Sequence, residues 1–251
     1  MGIFNRFFGR RRTEMLPPVD LSLLKVDMHS HLIPGIDDGS RNMDETIAML
    51  AKFESLGYQK VITTPHIMGD FYKNTPEIIL GGLEEVRSTA KSLGLKIEIE
   101  AAAEYYFDEC LMDRLKRKER LLTFGDNHLL FEFSMMSKPD KIEELFFEML
   151  TQNYKPILAH FERYTFFFGC VDKALEWQEK GIEIQLNLNS LTGHYGPDVK
   201  KQAQRLVDSG AIDYVASDCH RMDHLMIMEG NLQTPYFHKV MKLDLKNSLL
   251  F

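Results

Sequence analysis

Cysteine is scarce in this chain of 251 residues: Cys110, Cys170 and Cys219 are odd in number and lack paired spacing. That excludes a disulfide framework and a thiolate-rich zinc site, and it fits a reducing, cytoplasmic compartment. Long apolar runs are missing too. None reaches the roughly 18 residues that a membrane span needs. A basic surplus is also absent, since the net charge is -7. That speaks against a nucleic-acid partner, because general nucleic-acid binders are usually basic. No internal repeat and no low-complexity segment is visible. What remains is an ordinary apolar share of 44%, enough for a full globular core.

The first twelve residues, MGIFNRFFGRRR, depart from this pattern. They carry Arg6, Arg10, Arg11 and Arg12 with Ile3, Phe4, Phe7 and Phe8 and no acid. A secretory signal would place its charges before a longer apolar stretch. Myristoylation would want Ser or Thr where Arg6 stands. Residues 1–22 are therefore expected to be a basic tail, and 23–251 the folded domain. The tail reads either as a frayed terminus or as a weak peripheral contact with an anionic membrane surface.

The body alternates two periodicities. β-rich runs occupy 25–31, 60–66, 96–104, 128–134, 155–160, 182–190 and 211–218. Helical patterns fill 42–56, 75–93, 140–152, 171–180 and 197–209, and Gly57, Gly94, Gly181 and Gly210 supply stops. Strands alternating with helices predict an α/β fold with a parallel sheet, open or closed into a barrel. The stretch 105–127 reads as an excursion with a short helix. The stretch 222–251 shows turn signals and one weak helix, with no role assigned.

The strand ends carry the chemistry. The first run ends in His29-Ser30-His31, and residues two apart on a strand share a side, so one metal could take both imidazoles. The others bring His66, Glu104, Glu132, His160 and Asp218-Cys219-His220, and Asp37-Asp38-Gly39 follows the first run. A single histidine at a strand end is usually a surface group. Glu132 is harder to dismiss. Alternation sets it opposite Phe131 and Phe133, where an unpaired interior carboxylate would cost several kcal/mol. Five histidines and four acids exceed one ion's needs, so two or three divalent cations are expected. Imidazole with carboxylate suits Mn, Fe or Zn and not Ca.

The ordered set DMHSHLIPGIDDG, TPH, AEYY, EFS, AHFERY and SDCH resembles the polymerase-and-histidinol-phosphatase (PHP) superfamily. Within it the chain is similar to the bacterial manganese-dependent protein-tyrosine phosphatases of capsule and exopolysaccharide operons. The resemblance covers roughly 25–221. It implies a distorted seven-stranded (β/α)7 TIM-like barrel. It also implies three metals, Mn first among the candidates. His29, His31, Glu104 and Asp218 would hold one. Glu104 would bridge to a second, completed by Glu132 and His160. Asp38, His66 and His220 would hold the third, with Asp37 the lesser of the acid pair.

The implied reaction is phosphomonoester hydrolysis by water that the cations activate, with Arg163, Asp218 and His220 in catalytic positions. Arg163 is the best phosphate clamp, since a guanidinium grips two oxygens. Arg221, Arg41 and Tyr164 are further substrate-binding candidates. Tyr105, Tyr106 and Phe107 offer aromatic surface near Glu104. His194 and His224 could act as acids near the mouth, but both read first as solvated loop histidines. A cysteine-based phosphatase would need an arginine six residues after its thiol, but Lys116, Glu176 and Leu225 stand there, so a thiol nucleophile is excluded. The implied partner is a phosphotyrosine protein, a membrane-anchored kinase tail at the inner membrane face. The rival within the superfamily is a histidinol-phosphate phosphatase or a nuclease. A catalytically idle metal-binding partner of the secretion machinery would show a broken motif, and none is broken. A metal amidohydrolase usually wants a lysine at a middle strand end, and none stands there.

Overall fold

The computed structural model describes residues 16–251; the basic dozen lies outside the described residues. The strands are β1 (Val26–Asp27), β2 (Lys60–Thr63), β3 (His66–Ile67), β4 (Glu98–Ala101), β5 (Glu104–Tyr106), β6 (His128–Glu132), β7 (Lys155–Leu158), β8 (Glu183–Asn187) and β9 (Tyr214–Ala216). The helices among the described residues are α1 (Met43–Ser55), α2 (Pro76–Ser92), α3 (Glu109–Lys116), α4 (Ile142–Thr151), α5 (Val171–Glu179), α6 (Leu188–Thr192), α7 (Pro197–Ser209), α8 (Met222–Glu229) and α9 (Pro235–Val240).

The fold is α/β, and all paired strands are parallel. They form a three-stranded sheet, β1-β2-β4, and a six-stranded sheet, β3-β5-β6-β7-β8-β9. A single closed sheet is therefore not what the strands make. Two expected runs are each cut in two. The break between β2 and β3 falls at Thr64-Pro65, where proline has no N–H to offer a ladder. The break between β4 and β5 falls at Ala102-Ala103. The run expected to reach residue 190 stops at Asn187, whose side chain accepts from Asn189 N and starts α6.

The caps explain where the helices begin. Asn42 accepts from Glu45 N, Thr75 from Ile78 N with Pro76 behind it, and Asp108 from Leu111 N. Helix faces bury Leu50, Phe53, Leu83, Leu145, Phe146, Trp177 and Leu206 against the sheets. A second cluster lies among the strands: Val26, Met28, Ile62, Ala102, Leu130, Ile157, Tyr214 and Ala216, closed off by Phe124 and Leu250.

The C-terminal stretch holds two helices and a 3-10 turn (Asn247–Leu250), more than the one weak helix expected. It also has a structural role. Asn247 Nδ2 donates to Val26 O at 3.1 Å and to Val215 O at 2.7 Å, while Val215 N donates to Asn247 Oδ1 at 3.0 Å. One side chain thus ties the first strand to the last. One step further along, Ser217 N and Oγ donate to the buried Asp27 carboxylate at 2.8 and 3.1 Å. Backbone bonds take over above it, Asp218 N to His29 O at 3.0 Å and His31 N to Cys219 O at 2.8 Å. At the other terminus, Leu21 is buried and Val19 N donates to Leu232 O.

Candidate metal centre

The strands bring their carboxyl ends to one place, and the side chains expected there converge. Leu130 and Glu132, two apart on β6, share a face, so the strand that feeds the apolar cluster also delivers the carboxylate. Glu104 lies at the centre. Its Oε2 is 3.2 Å from His29 Nε2, 3.4 Å from His31 Nε2 and 3.2 Å from His66 Nδ1, and its Oε1 is 3.0 Å from His160 Nε2. Glu132 Oε1 is 3.2 Å from His66 Nδ1, and Asp218 Oδ1 is 3.3 Å from His29 Nε2. Asp38 Oδ1 is 3.4 Å from His220 Nε2 and 3.6 Å from His66 Nε2.

These distances suit shared cations. Donors about 2.1 Å from one ion, at tetrahedral or right angles, lie roughly 3.0–3.4 Å from each other. The residues fit such ions on a second count. The buried Nδ1 of His66 sits 3.2 Å from both Glu104 and Glu132 yet makes no well-angled hydrogen bond, a costly state unless something binds between them. Four groups of donors lie close enough to hold an ion: His31, Asp38, His66 and His220; His29, His31 and Glu104; His29, His160 and Asp218; His66, Glu104 and Glu132. They overlap, and they keep together His29, His31 and Glu104, and Asp38, His66 and His220. His66 sides with the two glutamates as well as with Asp38, and His31 joins two groups.

Two candidate ligand positions carry backbone strain. His160 has φ 34° and Asp218 φ 49°, left-handed values that non-glycine residues rarely adopt. The turn at each strand end swings these side chains into the cluster. Gly39 is needed for a different reason: a Cβ there would lie 2.3 Å from His31 O.

Other side chains aim the imidazoles. His31 Nδ1 donates to Asp37 Oδ2 at 2.8 Å, which leaves Nε2 facing Glu104. Asp37 is thus placed behind a histidine, where a carboxylate fixes the tautomer. It also accepts from Gly39 N and His66 N. Gln185 Oε1 accepts from His29 Nδ1 at 3.1 Å and from His160 N at 3.0 Å. His220 Nδ1 donates to Asp218 O at 3.0 Å. Asp37's position behind His31 and the part played by Gln185 were not anticipated. Gln185 carries no charge and sits inside a strand run, so composition gave no sign of it.

The electrostatics follow from crowding. Burial alone pushes the His29 imidazole down, but the Glu104 and Asp218 carboxylates outweigh it and hold it up at about 9. His66 is likewise raised to about 10, burial being overcome by Glu104 and Glu132. Glu104 and Asp218 are held well below the carboxylate range. Burial opposes this, and the facing His29 prevails, with His66 beside Glu104 and His220 and Arg163 beside Asp218. Cations would take the place of these protons.

The candidate substrate residues are spread unevenly. Arg163 is at the cluster, with Nη1 donating to Asp218 Oδ2 at 2.9 Å. Arg41 and Arg221 line a cavity of about 710 Å³ beside Asp37 and Asp38, and Arg41 is paired with Glu45. Tyr164 is fully buried: its hydroxyl donates to Ala159 O and accepts from Phe133 N. It is a floor residue and offers no face for stacking. Tyr105 is buried as well, and its hydroxyl accepts from Leu122 N. An aromatic ring beside the cluster comes instead from Tyr72, stacked 5.5 Å from His66, and its chain neighbour Phe71 is 78% exposed. His194 is exposed and His224 is half-buried, with Nδ1 3.1 Å from Asp218 O. Cys219 is buried against Met49, and burial pushes its thiol up, so it stays protonated.

A parallel α/β scaffold with buried imidazoles and carboxylates gathered at the carboxyl ends of its strands defines a class of metal-centre proteins. The family described as capsular polysaccharide synthesis, CpsB/CapC, matches residues 25–227, and the chain belongs to it. Among relatives, CapC of Staphylococcus aureus is 28% identical over 203 residues, 81% of this chain and 80% of that protein. Tyrosine-protein phosphatase YwqE of Bacillus subtilis is 28% identical over 215 residues, 85% of this chain and 80% of its own. A crystal structure from work on YwqE and on CpsB from Streptococcus pneumoniae, metal-dependent tyrosine phosphatases, superposes with a TM-score of 0.75. It covers 90% of this chain and 93% of that one at 23% identity, a likeness of fold. Among the described residues no helix is long and apolar enough to cross a membrane.

Proposed function

We propose that this chain is a metal-dependent protein-tyrosine phosphatase. The observation that carries the reading is the convergence of nine side chains, His29, His31, Asp38, His66, Glu104, Glu132, His160, Asp218 and His220, around one set of donor atoms. These residues would hold two or three divalent cations, Mn first, with Fe or Zn as alternatives. When bound, such cations supply Lewis acidity, which lowers the pKa of water and offsets charge on phosphate oxygens. The protein supplies the rest. Asp37 and Gln185 fix the tautomers of His31 and His29. Arg163 offers its guanidinium to a phosphate oxygen while tied to Asp218, and Arg221 lies beside His220 as a second cation. Phe71 and Tyr72 offer the aromatic face that a phosphotyrosine ring would meet.

Residues 23–251 act as one domain in this reading, and Val19 and Leu21 pack on it. In this reading the seven strand lines would make up a distorted barrel, and the bonding between His29–His31 and Asp218–Cys219 supports that as its seam. The substrate is the phosphotyrosine tail of a membrane-anchored kinase, and the basic dozen would favour meeting it at an anionic inner membrane face. Names of relatives support the tyrosine reading over a histidinol-phosphate phosphatase or nuclease.

The test compares phosphate release from phosphotyrosine peptide, phosphoserine peptide and histidinol phosphate, with Mn added or chelated. Phosphotyrosine is expected to win, and only with metal. A catalytic efficiency at least about tenfold higher on either rival, a preference of about 1.4 kcal/mol, would overturn the tyrosine reading.

A further inference from the structure

Arg163 is held on two sides. Its Nη1 bonds Asp218 Oδ2 at 2.9 Å, and its guanidinium carbon lies 4.5 Å from the centre of the Tyr195 ring. A guanidinium has five N–H donors in a flat fork. Asp218 takes one edge and the ring covers one face. The side chain keeps 25% of its surface exposed, and the donors not bonded to Asp218 remain for a ligand.

The ring is itself fixed. Asn187 Nδ2 donates to the Tyr195 hydroxyl at 3.1 Å and to Asp218 Oδ2 at 3.0 Å. Arg163, Asp218, Asn187 and Tyr195 therefore close a loop of contacts. The His194 ring packs against Tyr195 at 4.8 Å, and Gly193 and Gly196, at φ 94° and 99°, let the chain turn back on both sides of it. Arginine has several rotatable bonds and would otherwise sample many rotamers, so a clamp that must meet a phosphate gains from being held before substrate arrives.

We propose that Tyr195 is a positioning residue that holds Arg163, through its ring face, in the orientation that grips a phosphate monoester. The proposal rests on the reading of Arg163 as the phosphate clamp. It assigns the ring to Arg163 and the hydroxyl to Asn187, two jobs that can be separated by mutation.

The experiment uses the full chain loaded with Mn. It measures KM and kcat on a phosphotyrosine peptide, inhibition by inorganic phosphate, and metal content, for Arg163→Ala, Tyr195→Leu, Tyr195→Phe and the Arg163→Ala/Tyr195→Leu double variant. Tyr195→Leu is expected to raise KM and the phosphate inhibition constant about five- to tenfold, with bound metal unchanged. Tyr195→Phe keeps the ring and is expected to lose no more than about twofold. The double variant should match Arg163→Ala alone, because the ring acts only through that arginine. Losses that add in full would overturn the proposal, and so would equal losses in the Leu and Phe variants. Impairment by Arg163→Ala with none from Tyr195→Leu would remove Tyr195 and leave the clamp standing. Unchanged phosphate inhibition in Arg163→Ala would overturn the clamp and Tyr195's role with it. Should the leucine variant not fold, Tyr195→Gln, of similar reach and without a π face, replaces it.

Discussion

The two ends of the strands solve opposite problems. At the carboxyl ends, imidazoles and carboxylates crowd within 3.0–3.7 Å of one another around shared donor atoms. At the amino ends, Leu250 and Phe124 close an apolar cluster, and the charges nearby have conventional partners. Lys60 Nζ meets Glu100 at 2.7 Å and Leu250 O at 3.0 Å, and Lys246 bridges Glu183 and Asp213 at 2.8 Å each. At the amino end the lysine charges are met by carboxylates and a carbonyl. The carboxyl end becomes favourable only when something positive sits among its donors, and that is the mark of a site.

Removing the hub of the upper end should have the largest effect. Glu104 faces four imidazoles, so Glu104→Gln weakens every donor group it shares. Turnover is expected to fall by about 10³-fold, with metal lost in parallel. Metal analysis beside phosphate release checks it. A variant that kept its metal and most of its activity would show that the cluster is not the working site.

The same size of change at the lower end should read out as stability. Asn247→Ala leaves Val215 N and the Val26 carbonyl without their partner. A cost of about 1–3 kcal/mol is expected, because a buried group is left unsatisfied. Chemical denaturation of the metal-loaded protein measures it. Metal affinity that fell in step with no change in stability would show that the two ends are not divided as described.

Acid and base should separate the ends again, in metal-free protein. His29 is raised from 6.5 to about 9, so its contribution is full below about 6.5 and is lost as pH rises through about 9. His128, at the lower end, is depressed by burial, so its contribution is present above 6.5 and is lost as pH falls. Melting temperatures of chelated protein should therefore decline on both sides. Mn should remove the alkaline decline, since it displaces the imidazole protons, and His128→Gln should soften the acid one. An alkaline decline indifferent to metal would mean that His29 does not couple to the ion.

The contrast also explains what could be read in advance. His29, His66, Glu104, Glu132 and Asp218 were legible because each breaks an apolar strand run at its end, where a charged or imidazole side chain has few structural reasons to be. The helix bounds were legible from caps and glycines such as Asn42 and Gly57. Gln185, Asn187 and Tyr195 were not, because a neutral side chain announces no chemistry until its neighbours are known. Tyr164 misled for a related reason. Its place after Arg163 suggested exposure, but its hydroxyl is bonded to Ala159 O and Phe133 N and the ring is buried. Nor could the spacing show that Pro65 would split a strand, or that Asn247 would return from far along the chain to join the first strand to the last.

The smallest effect is expected at Cys219, which lies between two candidate ligands yet belongs to neither end's chemistry. Its neighbours Asp218 and His220 turn into the cluster, while its own Sγ packs 3.6 Å from Met49 and is fully buried. Burial raises the thiol, so no thiolate is available to attack phosphorus at neutral pH. Cys110 and Cys170 are exposed but have no arginine at the spacing a phosphate loop needs. Cys219→Ser should therefore keep metal content and turnover within about twofold. Its cost should appear as about 1 kcal/mol of stability, from a hydroxyl placed where a small apolar group sat. Thiol alkylation of the native enzyme should leave phosphate release unchanged. Loss of turnover in Cys219→Ser at full metal occupancy would point to covalent catalysis and overturn the metal-activated reading at its centre.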